Sequence, residues 1–539
     1  MIETPVFSHA ATAAPHQLAA DAGRDVLIEG GNAIEAMVAM ASVIAVVYPH
    51  MNGLGGDGFW TIGEPGRATA EPLVRAIEAC GYAGAKATLK SYDDRGYDRL
   101  PSRGPDAALT VPGAVDGWRA ALELSASRGG KMPLSRLLEP AIRFARDGYP
   151  VSRSEAFYEP MELASLRDAP GFLDTFCVDG KVPAAGDIRR VPALAATLER
   201  LAHVGLGDFY RGDIAREMAF DLDRIGAPVT REDLRLYEAK WRKPLSLRLP
   251  HSPAMPAARL FNTPPPTQGL AALVILGLFA RLGVKRGESF EHMHGLIEAS
   301  KLALLIRDRV CTDFDHLRED PDDYLTAGYL DQLAARIDMR RASSPVLPPS
   351  DGGTVWMGAI GADGLAVSYI QSVYWDYGSG CVLPRTGVLM QNRGLSFSLD
   401  PKALNALRPG RRPFHTLNPP LALYDDGRVM SYGAMGGDGQ PQFQAQVFTR
   451  VGFGQGLADA IDAPRFLFGR TWGDAHQSLR LESRFDPDVL LALERAGHDL
   501  VIDGAYSDRL GHAGALIRTP RGRIDAAHDP RSDGGSAGF

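Results

Sequence analysis

Thr354 follows two glycines, Gly352 and Gly353, and opens a hairpin pattern in which residues 355–360 and 365–373 flank the turn Gly361-Ala362-Asp363-Gly364. A cut between Gly353 and Thr354 would leave Thr354 with a free α-amine beside its own hydroxyl, a general base and a nucleophile in one residue. An α-amine titrates near pH ~7.7–8.0, so a useful fraction accepts a proton at neutral pH. The plainer alternative is a β-branched residue starting a strand. Three more segments could complete a site, each with an ordinary alternative. Gly436-Gly437 follows a predicted strand, where glycine N–H groups can approach a substrate closely as an oxyanion hole requires, or simply form a tight turn. Ser372 lies on the second hairpin strand, within reach of the Thr354 hydroxyl, or is an ordinary strand serine. Arg411-Arg412-Pro413-Phe414-His415-Thr416 gathers cations and donors, or is a solvated basic turn.

The elements that must position these residues are legible in outline. Apolar periodicity predicts a helix over 16–29 that stops at Gly30-Gly31, then a second, capped by Asn32 and running to about residue 47. Glycines 53–58 form a bend before a short strand at 59–62. Further helices are predicted over 114–127, 134–147, 193–204, 269–282 and 290–311. A polar, Pro- and Gly-rich stretch, 342–353, predicts an exposed loop ahead of Thr354. Strands follow at 355–360, 365–371, 421–424 and 428–432, then helices at 442–451, 455–462 and 487–496, and a strand pair at 513–518 and 523–526. Strands in the middle with helices at both ends predict stacked sheets covered by helical layers.

Bulk properties narrow the field. A chain of 539 residues with 45% hydrophobic and 23% charged content is an ordinary globular composition. A net charge of −7 offers no basic surface for nucleic acid or an anionic membrane. Four scattered cysteines without a CxxC predict reduced thiols and no zinc framework. The N-terminus lacks a secretory pattern, and the most apolar run, 36–47, is shorter than the ~20 residues that cross a bilayer. The expectation is a cytoplasmic protein with no metal, no cofactor, no membrane and no nucleic acid. Gly53-Leu54-Gly55-Gly56-Asp57-Gly58 fits GxGxxG, but it runs from helix to strand, the reverse of a dinucleotide site. Gly534-Gly535-Ser536-Ala537-Gly538 fits GxSxG without room for the following helix. His292 and His294 lie two apart on a predicted helix and point away from each other, which argues against a shared metal.

Ordered motifs carry a resemblance. Gly30-Gly31-Asn32-Ala33, Pro49-His50-Met51-Asn52-Gly53-Leu54-Gly55-Gly56-Asp57-Gly58-Phe59, Thr110-Val111-Pro112-Gly113, Pro264-Pro265-Pro266, Gly378-Ser379-Gly380, Pro409-Gly410-Arg411-Arg412-Pro413, Gly436-Gly437, Asp462-Ala463-Pro464-Arg465 and Asp529-Pro530-Arg531 occur in sequence. Together they resemble the γ-glutamyltranspeptidase family of N-terminal-nucleophile hydrolases. The resemblance implies an α+β, four-layer αββα sandwich. It also implies a proenzyme cut before Thr354 into a large subunit, 1–353, and a small one, 354–539, held as a heterodimer, with pairing of two heterodimers left open. By position it makes Thr354 the nucleophile, Ser372 an assisting hydroxyl, and Gly436 and Gly437 the oxyanion donors. Val355 stands where a second threonine is usual.

Departures from the family pattern bear on substrate. Cys80 stands where the family grips a glutamyl carboxylate with arginine, and Arg393 and Ser396 replace the Glu and Asp that hold its amine. His415 and Thr416 replace paired serines, and Tyr374 replaces an asparagine. A guanidinium in place of a carboxylate repels an ammonium by roughly 1–3 kcal/mol. A small acid amide without an ammonium suits such a pocket, its carboxylate clamped by Arg393 with Arg412 or His415. The resemblance is to the oxamate amidohydrolase branch, so ammonia release from oxamate is the first expectation. The alternatives are γ-glutamyl hydrolysis or transfer, acylase action on a bulkier amide, and an uncut non-catalytic binding protein.

Overall fold

The computed structural model describes residues 2–64, 73–252, 255–344, 353–469 and 478–539. The predicted loop 342–353 lies largely outside these residues. Two seven-stranded sheets face each other. One runs in the order Gly535–Gly538, Ala11–Ala14, Gly353–Ile360, Ala366–Tyr374, Asp57–Glu64, Leu73–Ala79, Lys240–Arg242. The other runs Val6–Phe7, Ile524–His528, Ala513–Arg518, Val429–Ala434, Leu421–Tyr424, Ala258–Asn262, Leu245–Leu249.

The alternation of side chains on Gly353–Ile360 explains the layering. Val355, Met357 and Ala359 face one helical layer, packed with the helices Gln17–Ile28, Ala33–Val47 and Leu134–Asp147. Trp356 and Ile360 face the opposite sheet and meet Leu421, Leu516 and Ile524. Met430, Tyr432 and Ala434 of the second sheet pack outward on the helices Gly269–Phe279, Phe290–Val310 and Gln440–Gly452. The result is the αββα sandwich. Thr354 shares its strand face with Trp356, so its side chain is directed into the space between the sheets.

The boundaries hold closely. Asn32 forms a capping box with Glu35, and the helix it starts, Ala33–Val47, is buried throughout, as a sequence apolar at all but Glu35 and Ser42 requires. One expectation changes: the sheets are not built from the middle of the chain. Ala11–Ala14, Leu73–Ala79 and Gly535–Gly538, none of them read as strands in the sequence, pair into the nucleophile's sheet. Ala11–Ala14 is built of small residues and buried at every position, so no polar alternation marks it. Both sheets therefore draw strands from 1–353 and from 354–539. No helix among the described residues is long and apolar enough to cross a membrane.

Candidate active site

Thr354 is fully buried at the start of its strand, where the ladder is irregular. Gly353 pairs with Tyr374 and Val355 with Gln371, so two steps on one strand meet three on the other, and Ser372 and Val373 bulge opposite Thr354. Ser372 Oγ accepts the Tyr374 N–H at 2.7 Å. Tyr374 has φ 85°, a left-handed backbone that bulky residues rarely adopt. That turn of the chain lays its ring beneath the Arg393 guanidinium, 3.7 Å from the ring centre.

From Tyr374 a series of contacts leads back to Thr354. Both terminal nitrogens of Arg393 reach Thr416 Oγ1 at 3.3 Å. Gln268 Nε2 donates to the Thr416 carbonyl and to the Gly437 carbonyl, each at 2.7 Å. Gly436 and Gly437, both with positive φ, turn the chain from Val429–Ala434 into the helix Gln440–Gly452. A Cβ on Gly436 would lie 2.7 Å from the Phe443 ring, so only glycine fits. Their N–H groups donate to no other described residue. Gln440, first in the helix, places Nε2 3.4 Å from Thr354 Oγ1, and its Oε1 is held by Asn418 Nδ2 at 3.1 Å. Thr354 Oγ1 thus contacts the first residue of the helix that follows the Gly436-Gly437 bend.

His415 and Asp57 form the floor beside Arg393. His415 Nε2 lies 3.0 Å from Asp57 Oδ2, while Asp57 Oδ1 accepts the N–H groups of Gly81 and Gly113, each at 3.0 Å. Burial pushes the Asp57 carboxyl up to about 7. Burial, then the neighbouring Arg393, holds His415 well below its usual range, so the imidazole is neutral. Arg393 itself is pulled down to about 10 by burial and remains a cation at neutral pH. Among the described residues no carboxylate forms an ion pair with it, and Arg393 Nε and His415 Nδ1 are buried without a partner.

The structure therefore brings Thr354, Ser372, Tyr374, Arg393, His415, Thr416, Gly436 and Gly437 into one cluster. Arg412 stands apart from it: its guanidinium faces Glu78 at 3.0 Å and Asp315 at 3.7 Å. Asp57, Gln268, Asn418 and Gln440 are the members that motif reasoning missed. Asp57 lay inside the glycine run set aside as a false dinucleotide motif, and an acid among glycines was the available signal. The two helix histidines diverge as expected, His292 to Thr449 and His294 to His498. Among the described residues only His294, Glu298 and His498 group as metal-ligand types. They are already satisfied internally, with Lys301 on Glu298 at 2.7 Å and His294 on His498 at 2.9 Å.

Facing sheets between helical layers, with a buried threonine at the start of a central strand, are the architecture of the N-terminal-nucleophile hydrolases. Comparison with known proteins agrees. Residues 19–539 match the gamma-glutamyltranspeptidase family. The chain is 48% identical to an oxamate amidohydrolase proenzyme of Klebsiella pneumoniae over all of both chains, and 36% identical to a glutathione hydrolase-like YwrD proenzyme of Bacillus subtilis over 97% of each. It superposes on the crystal structure of cephalosporin acylase from Bacillus halodurans with a TM-score of 0.90 at 31% identity, covering 100% of this chain and 97% of that one. The chain belongs to the γ-glutamyltranspeptidase family and is an enzyme of that family.

Proposed function

We propose that this protein cuts itself between Gly353 and Thr354 and then uses Thr354 to hydrolyse a small carboxylated amide, oxamate foremost, releasing ammonia. Arg393 is the observation that carries the substrate class. Asp57 acts on this buried guanidinium without forming an ion pair with it, and a cation so placed is costly unless a ligand such as a substrate carboxylate answers it. An α-ammonium at the same place would be repelled, which disfavours a glutamyl head. The 48% identity to an oxamate amidohydrolase proenzyme supports the same reading.

In this mechanism the Thr354 α-amine takes the hydroxyl proton while Oγ1 attacks the amide carbon. Burial favours the neutral form of the amine, which is the form that accepts a proton. Gly436 and Gly437 N–H groups receive the oxyanion, ammonia departs, and water releases the acid from the acyl-enzyme. Arg393 and Thr416 hold the substrate carboxylate, with His415 beside them and Tyr374 as the platform. Arg412 neutralises Glu78 in the wall behind. Because both sheets interleave strands from each side of the cut, the pieces stay together as a heterodimer. The likeness to a cephalosporin acylase favours one alternative, a bulkier amide.

The test is direct. Purified wild-type protein should run as two pieces under denaturing conditions and release ammonia from oxamate. Thr354→Ala should stay as one band of 58.0 kDa and release none. An uncut wild type, or an alanine variant of full activity, would refute the proposal.

A further inference from the structure

Gln268 precedes the helix Gly269–Phe279 and is completely buried. Its Nε2 bonds the carbonyls of Thr416 and Gly437, both at 2.7 Å, and its Oε1 accepts from Arg307 at 3.1 Å. Its backbone N–H adds a bond to the His415 carbonyl at 3.0 Å. Arg307 in turn grips Asp438, the residue after Gly437, with its second terminal nitrogen 3.3 Å from Asp438 Oδ2. Both N–H donors of the Gln268 amide are thus taken up by protein carbonyls, and its oxygen is held by Arg307.

What those groups belong to gives the residue its meaning. Thr416 presents the hydroxyl that Arg393 touches, and Gly437 presents an oxyanion N–H. One amide nitrogen therefore ties the carboxylate end of the pocket to the end where the scissile carbonyl must sit. The two carbonyls it joins can be no further apart than two hydrogen-bond lengths.

We propose that Gln268 is a positioning residue that sets the separation between the carboxylate clamp and the oxyanion hole. It thereby restricts efficient turnover to amides whose carboxylate adjoins the scissile carbonyl. This rests on the roles given above to Arg393 and Gly437. In oxamate the two carbons are bonded directly, and each inserted methylene carries the carboxylate on by roughly 1.3 Å. A misplacement of about 1 Å can cost a reaction ~10²-fold. In a glutamyl group the γ-carbonyl and the α-carboxylate are separated by three carbons, which a rigid short tie excludes.

The experiment measures ammonia release from oxamate, malonamate, succinamate and glutaramate by wild type, Gln268→Met and Asp438→Asn, each checked for processing and melting temperature. Wild type should lose at least ~10-fold in kcat/KM per added methylene. Gln268→Met should lower the oxamate-to-succinamate preference by ~10-fold or more, because the two ends can then drift apart. Asp438→Asn, which loosens the same loop from its far side, should shift the preference in the same direction by less. If Gln268→Met does not fold, Asp438→Asn decides. An equal loss on all four amides, with the preference intact, would mean that the residue is merely structural and would overturn the proposal while leaving the reading of the site standing. A wild type that prefers the longer amides would overturn it too. A correctly cut wild type that releases ammonia from none of them would remove both the proposal and the reading beneath it.

Discussion

Replacing Arg393 by methionine should separate catalysis from stability, pushing them in opposite directions. Burial pulls the guanidinium from its ordinary range down to about 10. At ~1.4 kcal/mol per unit, carrying that charge in the fold costs about 3 kcal/mol at neutral pH. Methionine removes the cost but forfeits the stacking on Tyr374, about 1–2 kcal/mol, and two long contacts to Thr416. The free variant should therefore be as stable as wild type or more stable by up to ~2 kcal/mol. The bound state behaves differently. Two charge-assisted hydrogen bonds to a substrate carboxylate, each worth ~1.5–3 kcal/mol, disappear, so kcat/KM on oxamate should fall by ~10²–10⁴-fold. Methyl oxamate, which keeps the amide and masks the charge, supplies the contrast: its turnover should change by less than ~3-fold. Denaturant melts and ammonia release on both substrates complete the assay. Equal losses on acid and ester, or a variant several kcal/mol less stable, would refute the assignment of Arg393 as an unanswered cation awaiting a carboxylate.

Two other perturbations probe the framework. Gly436→Ala asks a residue with φ 121° to accept a Cβ 2.7 Å from the Phe443 ring; turnover should drop by ~10²–10³-fold as the oxyanion donors move, whereas an active, normally folded variant would exclude Gly436 from that role. His528, 2.9 Å from Ser532 Oγ, is drawn down to about 3 by burial, whereas an unfolded imidazole titrates near 6.5. Between those values the unfolded chain binds a proton that the folded one does not, so this histidine's contribution to stability is lost as pH falls below ~6.5, by up to ~1.4 kcal/mol per unit. Thermal melts at pH 7 and pH 5 should show a smaller acid-induced drop for His528→Gln than for wild type, and an equal drop would disprove the contribution.

Local chemistry settled much of this protein before folding is considered. A β-branched residue after two glycines, a cap-and-apolar pattern at 32–47, and glycine pairs after strands are encoded in neighbouring residues, and their geometry emerged almost where expected. The cation at 393 was likewise visible as a residue type in a motif. Sequence could not show that Arg393 would be left without an ion pair, because that depends on which distant groups come to surround it. Nor could it show Asp57 bonding to His415 across 358 residues, or Gln268 joining Thr416 to Gly437. Small-residue strands such as Ala11–Ala14 escaped for a related reason: enclosed on both faces, they show no alternation to read. Periodicity records which side of an element meets water, whereas the partners of a buried polar group are chosen only when distant segments close around it and every unpaired donor must find an acceptor or a ligand.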